Sequence, residues 1–115
     1  MLITIEKKRL LVDPISGRCV GMDVKLFNRR LLPAVKTRVW VTVFDVKKRK
    51  VAKGGVVGTL ARRDDTLARI EFDRPLKTGR YRFVVEVQWP TMGGDDAARA
   101  AGPNQAKADF WGVVK

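Results

Sequence analysis

Histidine is absent from this 115-residue chain, cysteine occurs once (Cys19), serine once (Ser16), and asparagine and glutamine twice each (Asn28, Asn104, Gln88, Gln105). Without histidine, and with one thiol, there are no clustered nitrogen or sulfur donors for zinc. A Ser–His or Cys–His nucleophile is excluded as well, because the proton acceptor does not exist. There is no Gly-x-x-x-x-Gly-Lys-Ser/Thr loop to cradle a phosphate. The carboxylate pairs Asp64-Asp65 and Asp95-Asp96 read as solvated acids in turns rather than an acid–base couple. The expectation is a non-enzymatic protein with no cofactor and no metal site. One cysteine cannot form an internal disulfide and suits a reducing compartment; Cys19 reads as a small hydrophobe near a strand start. No apolar run approaches the roughly 18 residues of a membrane helix. The start, Met1 to Lys8, alternates where a signal peptide would be continuously apolar. Both point to a chain that does not insert in a membrane and that works in the cytoplasm, or in a virion if viral.

What the chain has in excess is positive charge: 24 Lys plus Arg against 12 Asp plus Glu, a formal +12. A field of that sign attracts nucleic acid, anionic membranes or acidic protein surfaces. The scarcity of amides beside 31% charged residues resembles the composition of proteins from hot environments. An apolar fraction of 45% and this length fit one globular domain, residues 1–115, able to bury a core without staples.

Period-2 alternation recurs along the chain and predicts seven short strands. Leu2 to Lys8 is the first, closed by the turn Asp13-Pro14-Ile15-Ser16-Gly17. The second places Val20, Met22, Val24 and Leu26 on one face. The third runs from about Val35 to Asp45, rich in β-branched and aromatic residues. The fourth, Val51 to Leu60, is weaker, and Gly54-Gly55 suggests a bulge or bend. The fifth is Leu67 to Phe72, with Asp73-Arg74-Pro75 leading to a corner. The sixth follows Gly79 with Tyr81, Phe83, Val85 and Val87 on one face, and the last is Ala106 to Val114. Between the final two lies a long connection, residues 89–105, beyond the length usual for compact domains. It reads as a plain insertion, or as a partner-binding loop or an arm that lends the last strand to a neighbour.

The run Leu76-Lys77-Thr78-Gly79-Arg80-Tyr81 places a Tyr at the start of a strand, just after a tight corner. Its ring can be buried while its hydroxyl bonds back to the corner's backbone, the physics of the tyrosine corner. With seven strands and this corner, the chain resembles immunoglobulin-like and fibronectin type III-like sandwiches. The resemblance implies an all-β, seven-stranded antiparallel Greek-key sandwich, and a role in adhesion, as a virion or appendage component, or as a spacer. The cysteine pair of antibody domains is missing. Superfolds host many functions, so activity must come from the surface.

Two surfaces stand out. If Thr37, Val39, Val41 and Val43 point inward, then Lys36, Arg38, Trp40, Thr42 and Phe44 point out, and Arg82 and Val84 share that face. Aromatics interleaved with Arg can stack bases or anchor a protein. Arg38, Trp40, Phe44, Arg82 and Val84, with Trp89 and Met92 of the long connection, form the expected partner-binding set. The alternative is that Trp40 turns inward or is covered by that connection. Second, Lys47, Lys48, Arg49, Lys50, Arg74 and Lys77 gather with Arg18 at one pole if the strands run up and down. They form a phosphate or carboxylate dock, or else a solvated tip that discourages edge aggregation. Arg29, Arg30, Arg62 and Arg63 fall at the other pole. The expected partner is a protein with an acidic surface, or further copies of the chain, within a virion, tail or filament. Nucleic acid is the alternative, and a regulator probing with its long loop is the third reading.

Overall fold

The computed structural model describes residues 3–31, 33–90 and 104–115. Among the described residues there are seven strands: β1 (Ile3–Val12), β2 (Cys19–Asn28), β3 (Ala34–Phe44), β4 (Lys50–Leu60), β5 (Asp65–Leu76), β6 (Gly79–Gln88) and β7 (Gln105–Val114). They form two antiparallel sheets, one ordered β1-β2-β5 and the other β4-β3-β6-β7. The described residues contain no helix, and so none long and apolar enough to cross a membrane. The last strand pairs along its whole length with β6, from Gly79↔Val114 to Gln88↔Gln105, within the same chain.

Alternation sets the core. Val39, Val41 and Val43 of β3 and Phe83, Val85 and Val87 of β6 meet Met22, Val24 and Leu26 of β2 and Ile70 of β5, all buried. Phe83 is the aromatic centre, stacked on Phe110 at 5.4 Å and on Phe72 at 6.4 Å, with Tyr81 edge-on at 6.4 Å. Such pairs add about 0.5–1.5 kcal/mol each beyond area burial. The Tyr81 hydroxyl donates to the Lys77 carbonyl oxygen at 3.0 Å, which ties the β5–β6 corner to the sheet.

Three local expectations need correction. Val20 does not share the inward face of β2. A register shift between Cys19 and Gly21 reverses the alternation, burying Cys19 and leaving Val20 38% exposed. Second, Gly54-Gly55 makes no bulge, because β4 pairs with β3 in unbroken register from Val57 to Ala52. Gly54 is instead a point of close approach, where an added Cβ would lie 2.1 Å from the Glu71 carbonyl oxygen. Third, β5 runs through Asp73-Arg74-Pro75 to Leu76. It is an edge strand, so Pro75 breaks no ladder in the sheet interior.

The registers place the connections at two ends. Cys19↔Leu76 and Phe44↔Arg82 bring the turns 13–18, 45–49 and 77–78 to one end. At the other, Arg63 donates to the Arg29 carbonyl oxygen and Asn28 N–H to that of Asp64.

Candidate functional site: the outer face of the four-stranded sheet

Rungs of directly opposed residues define the outer face of the β4-β3-β6-β7 sheet. Across it run Val57–Arg38–Gln88–Gln105, then Gly55–Trp40–Glu86–Lys107, then Lys53–Thr42–Val84–Asp109, then Lys50–Phe44–Arg82–Trp111, with Arg80 opposite Val113 beyond. The β3 pattern agrees: Thr37, Val39, Val41 and Val43 are buried, Arg38 is exposed, and Trp40, Thr42 and Phe44 are half-buried. Phe110 and Trp111, adjacent in β7, point to opposite sides. Phe110 stacks in the core and Trp111 is 47% exposed.

Cations lie against the aromatic rings of this face. The Arg38 guanidinium carbon is 5.5 Å from the centre of the Trp40 ring, Arg80 is 4.8 Å from Trp111, and Arg82 is 5.8 Å from Phe44. Each is worth about 0.5–1 kcal/mol at an exposed site. Arg82 also holds Asp109 in a two-point ion pair, its Nε donating to Oδ1 at 2.8 Å and its Nη2 to Oδ2. That pair pushes the Asp109 carboxyl below its usual range and raises Arg82. Among the described residues, Arg38, Lys53, Arg80 and Lys107 are in no ion pair. Beside Trp40 an open groove of about 640 Å³ is lined by Arg38, Lys50, Lys53, Gly54 and Gly55, with Glu71 and Asp73 on its far wall.

The outer face of the three-stranded sheet differs. Its rungs oppose Lys7, Lys25 and Leu67, and Arg9, Asp23 and Arg69. Here part of the charge is neutralised locally, while Lys7 and Arg9 are in no ion pair among the described residues. Arg69 binds Asp23 through Nε at 3.0 Å and Nη2 at 3.3 Å, Lys25 lies 3.4 Å from Asp65, and Arg29 lies 3.8 Å from Glu6. The hydrogen bonds from Arg69 hold the Asp23 carboxyl below its ordinary value. Among the described residues, cations in no ion pair thus stand beside exposed aromatic rings on the four-stranded face, and others, Lys47, Lys48 and Lys77, stand at the tip beside it.

Of the residues singled out in the sequence, Arg38, Trp40, Phe44 and Arg82 come together on this face. Val84 shares it but is only 6% exposed, a floor between Thr42 and Asp109. Trp89 is removed from the set: at 4% exposure it belongs to the core. Met92, with most of the long connection, lies outside the described residues. Lys47, Lys48, Arg49 and Lys50 form an exposed tip at the β3–β4 turn, at the same end as Lys77 and near Arg74. Within that tip Asp45 accepts from the Lys47 and Arg49 N–H groups and from Arg49 Nε, all at 2.9 Å, so Arg49 is already engaged. At the opposite end Arg30 is buried at 8% and does not join an exposed cluster.

The sequence alone sets Phe110 and Trp111 on opposite faces, one core and the other available, but does not place Arg80, Lys53 or Lys107 on this face. Arg80 and Arg82 share the outward parity of β6, so that signal was present. Placing Lys53, Lys107 and Trp111 needs the strand order and register. No protein-family model matches the chain, and no curated protein matches it.

Proposed function

We propose that this chain is an immunoglobulin-like or fibronectin type III-like sandwich that acts by binding rather than catalysis. Its working surface is the outer face of the four-stranded sheet, directed at an anionic macromolecule. The fold reading is supported by crossovers between the sheets after β2, β4 and β5, by a fourth strand placed beside β3, and by the Tyr81 corner. A binding role is supported by the residue inventory and its settings. There is no histidine, and burial keeps the Cys19 thiol protonated by pushing its pKa up. The carboxyls with a resolved shift, Asp13, Asp23, Asp45 and Asp109, are all pushed down, the reverse of a general acid.

One observation carries the choice of face. Trp40, Phe44 and Trp111 share it with Arg38, Lys53, Arg80 and Lys107, whereas on the opposite face Lys25 and Arg69 are held in ion pairs by Asp65 and Asp23. A place in a larger assembly fits the same face, the anionic partner then being a protein.

The test compares two double variants of equal charge change on an immobilised polyanion. Arg38→Glu with Arg80→Glu is expected to elute at distinctly lower salt than Lys7→Glu with Lys25→Glu. Equal elution of the two would remove the distinction between the faces and with it this reading.

A further inference from the structure

Resting on the reading that this face is the working surface, we propose that its ligand is single-stranded nucleic acid. Bases stack on the Trp40 and Trp111 rings, and Arg38, Lys53, Arg80 and Lys107 take the phosphates. Three features of the face point to that ligand over an acidic protein or a duplex.

The first is spacing. Trp40 and Trp111 lie two strands and two rungs apart on one sheet face. At about 4.8 Å between strands and about 6.8 Å per rung, that is a diagonal of about 17 Å. A short run of nucleotides spans it with a base at each end. A protein hot spot is built differently, as a contiguous apolar anchor in a desolvated pocket. Here the ground between the two indoles holds the Arg82–Asp109 ion pair, and Val84 is already covered.

The second is access to the rings. Gly55 stands opposite Trp40, and an added Cβ there would come within 3.2 Å of the Trp40 Cβ. The missing side chain leaves that flank of Trp40 open to the groove of about 640 Å³ whose near wall carries Lys50 and Lys53. Trp111 is 47% exposed on the edge strand β7. Every base has a face to offer such a ring, so stacking does not depend on sequence. In a duplex the base faces are hidden from such a ring.

The third is the pairing of each indole with a guanidinium, Arg38 with Trp40 and Arg80 with Trp111. Cation–π contacts at exposed positions are weak. An incoming base displaces the guanidinium from the ring, and the freed cation meets the neighbouring phosphate. Stack and charge are thus supplied at the same two points.

The experiment titrates the full chain with a short fluorescein-labelled oligothymidylate, the corresponding duplex, and polyglutamate as a protein-like polyanion. Anisotropy is followed over a range of salt. Expected are tighter binding of the single strand than of either competitor, and indole quenching on saturation. Trp40→Leu and Trp111→Ala should each weaken the single strand by on the order of 10-fold while leaving the salt slope unchanged. Arg38→Gln with Lys107→Gln should lower that slope by about 1.4, from about 0.7 per phosphate contact. Trp111 sits on an exposed edge, so its variant keeps the fold; a thermal melt confirms this for Trp40→Leu. Equal binding of oligothymidylate and polyglutamate, unmoved by either Trp variant, would overturn the nucleic-acid proposal. If the Arg38/Lys107 variant still weakened both, the working-surface reading would stand. Polyglutamate bound in preference, or concentration-dependent oligomers lost in Trp40→Leu, would overturn the proposal in favour of an acidic protein or a second copy. If no variant of this face altered the binding of any probe, the working-surface reading itself would fall.

Discussion

Gly54 shows how much one absent side chain can decide. Its Cα stands where β4 passes the backbone of β5, and an added Cβ would lie 2.1 Å from the Glu71 oxygen and 2.9 Å from the Ile70 side chain. Backbone cannot step aside as a flexible side chain can. Gly54→Ala is therefore expected to lower unfolding free energy by about 1–3 kcal/mol, the usual cost of overpacking, as measured by urea denaturation. Gly58, in the same strand, has nothing within 4 Å. Gly58→Ala should lie within about 0.5 kcal/mol of the parent or stabilise slightly. Similar costs for both would refute the close-approach account of Gly54. Tyr81→Phe isolates the corner. It removes only the bond to the Lys77 carbonyl and should cost about 1 kcal/mol. The Tyr81 corner was legible in the sequence because a tyrosine two residues after a corner glycine is a local signal. The role of Gly54 was not, since β5 is remote in sequence and only the packing of two sheet edges brings Glu71 to it.

At the scale of the element, the β3–β4 hairpin gives a clear test. Asp45 N–H donates to the Arg49 carbonyl, Lys48 N–H to that of Asp45, and Lys48 sits at φ 65°. This is a type I turn closed by a left-handed residue, a position that favours glycine. Lys48→Gly should raise stability by about 0.5–1 kcal/mol in thermal or urea unfolding. It should scarcely change retention on a polyanion if the four-stranded face, rather than this tip, does the binding. All seven strands were legible from alternation, and the inward set of β3 and β6 matches their burial. What alternation could not give was the slip at Cys19–Gly21, which arises from pairing with β1 and β5 and turns Val20 outward. Nor could it extend β5 through Pro75, because proline marks a turn unless the strand is known to be an edge. Trp89 followed the same logic: its place in the long connection suggested a surface, whereas the structure buries it.

At the scale of the whole molecule, stability and binding draw on different charges. Asp13, Asp23, Asp45 and Asp109 are held below their ordinary value of 3.8 by hydrogen bonds to backbone and to Arg or Ser partners. A depressed carboxyl favours the folded state when ionised, so its contribution is complete above the unfolded pKa and is lost as pH falls through the folded one. The melting temperature should accordingly hold a plateau from about pH 5 to 8, where no histidine titrates, and decline below about pH 4. In Asp23→Asn that decline should be shallower, since the Arg69 pairing no longer depends on a proton. An inflection near pH 6.5 would contradict this assignment. Of the cations of the four-stranded face, Arg82 and, more weakly, Lys107 enter this balance through Asp109. Among the described residues Arg38, Lys53, Arg80 and Lys107 are in no ion pair and remain available to a ligand.

The most direct measurement of the central claim uses the three indoles as separate reporters in a ¹H–¹⁵N NMR titration with oligothymidylate. Trp40 and Trp111 lie on the proposed surface, and Trp89 is buried in the core as an internal control. Their two indole N–H signals should shift together with amides of β3, β6 and β7, while the Trp89 indole and the β1-β2-β5 amides stay in place. Shifts confined to residues 45–50, or centred on the three-stranded sheet, would contradict the claim.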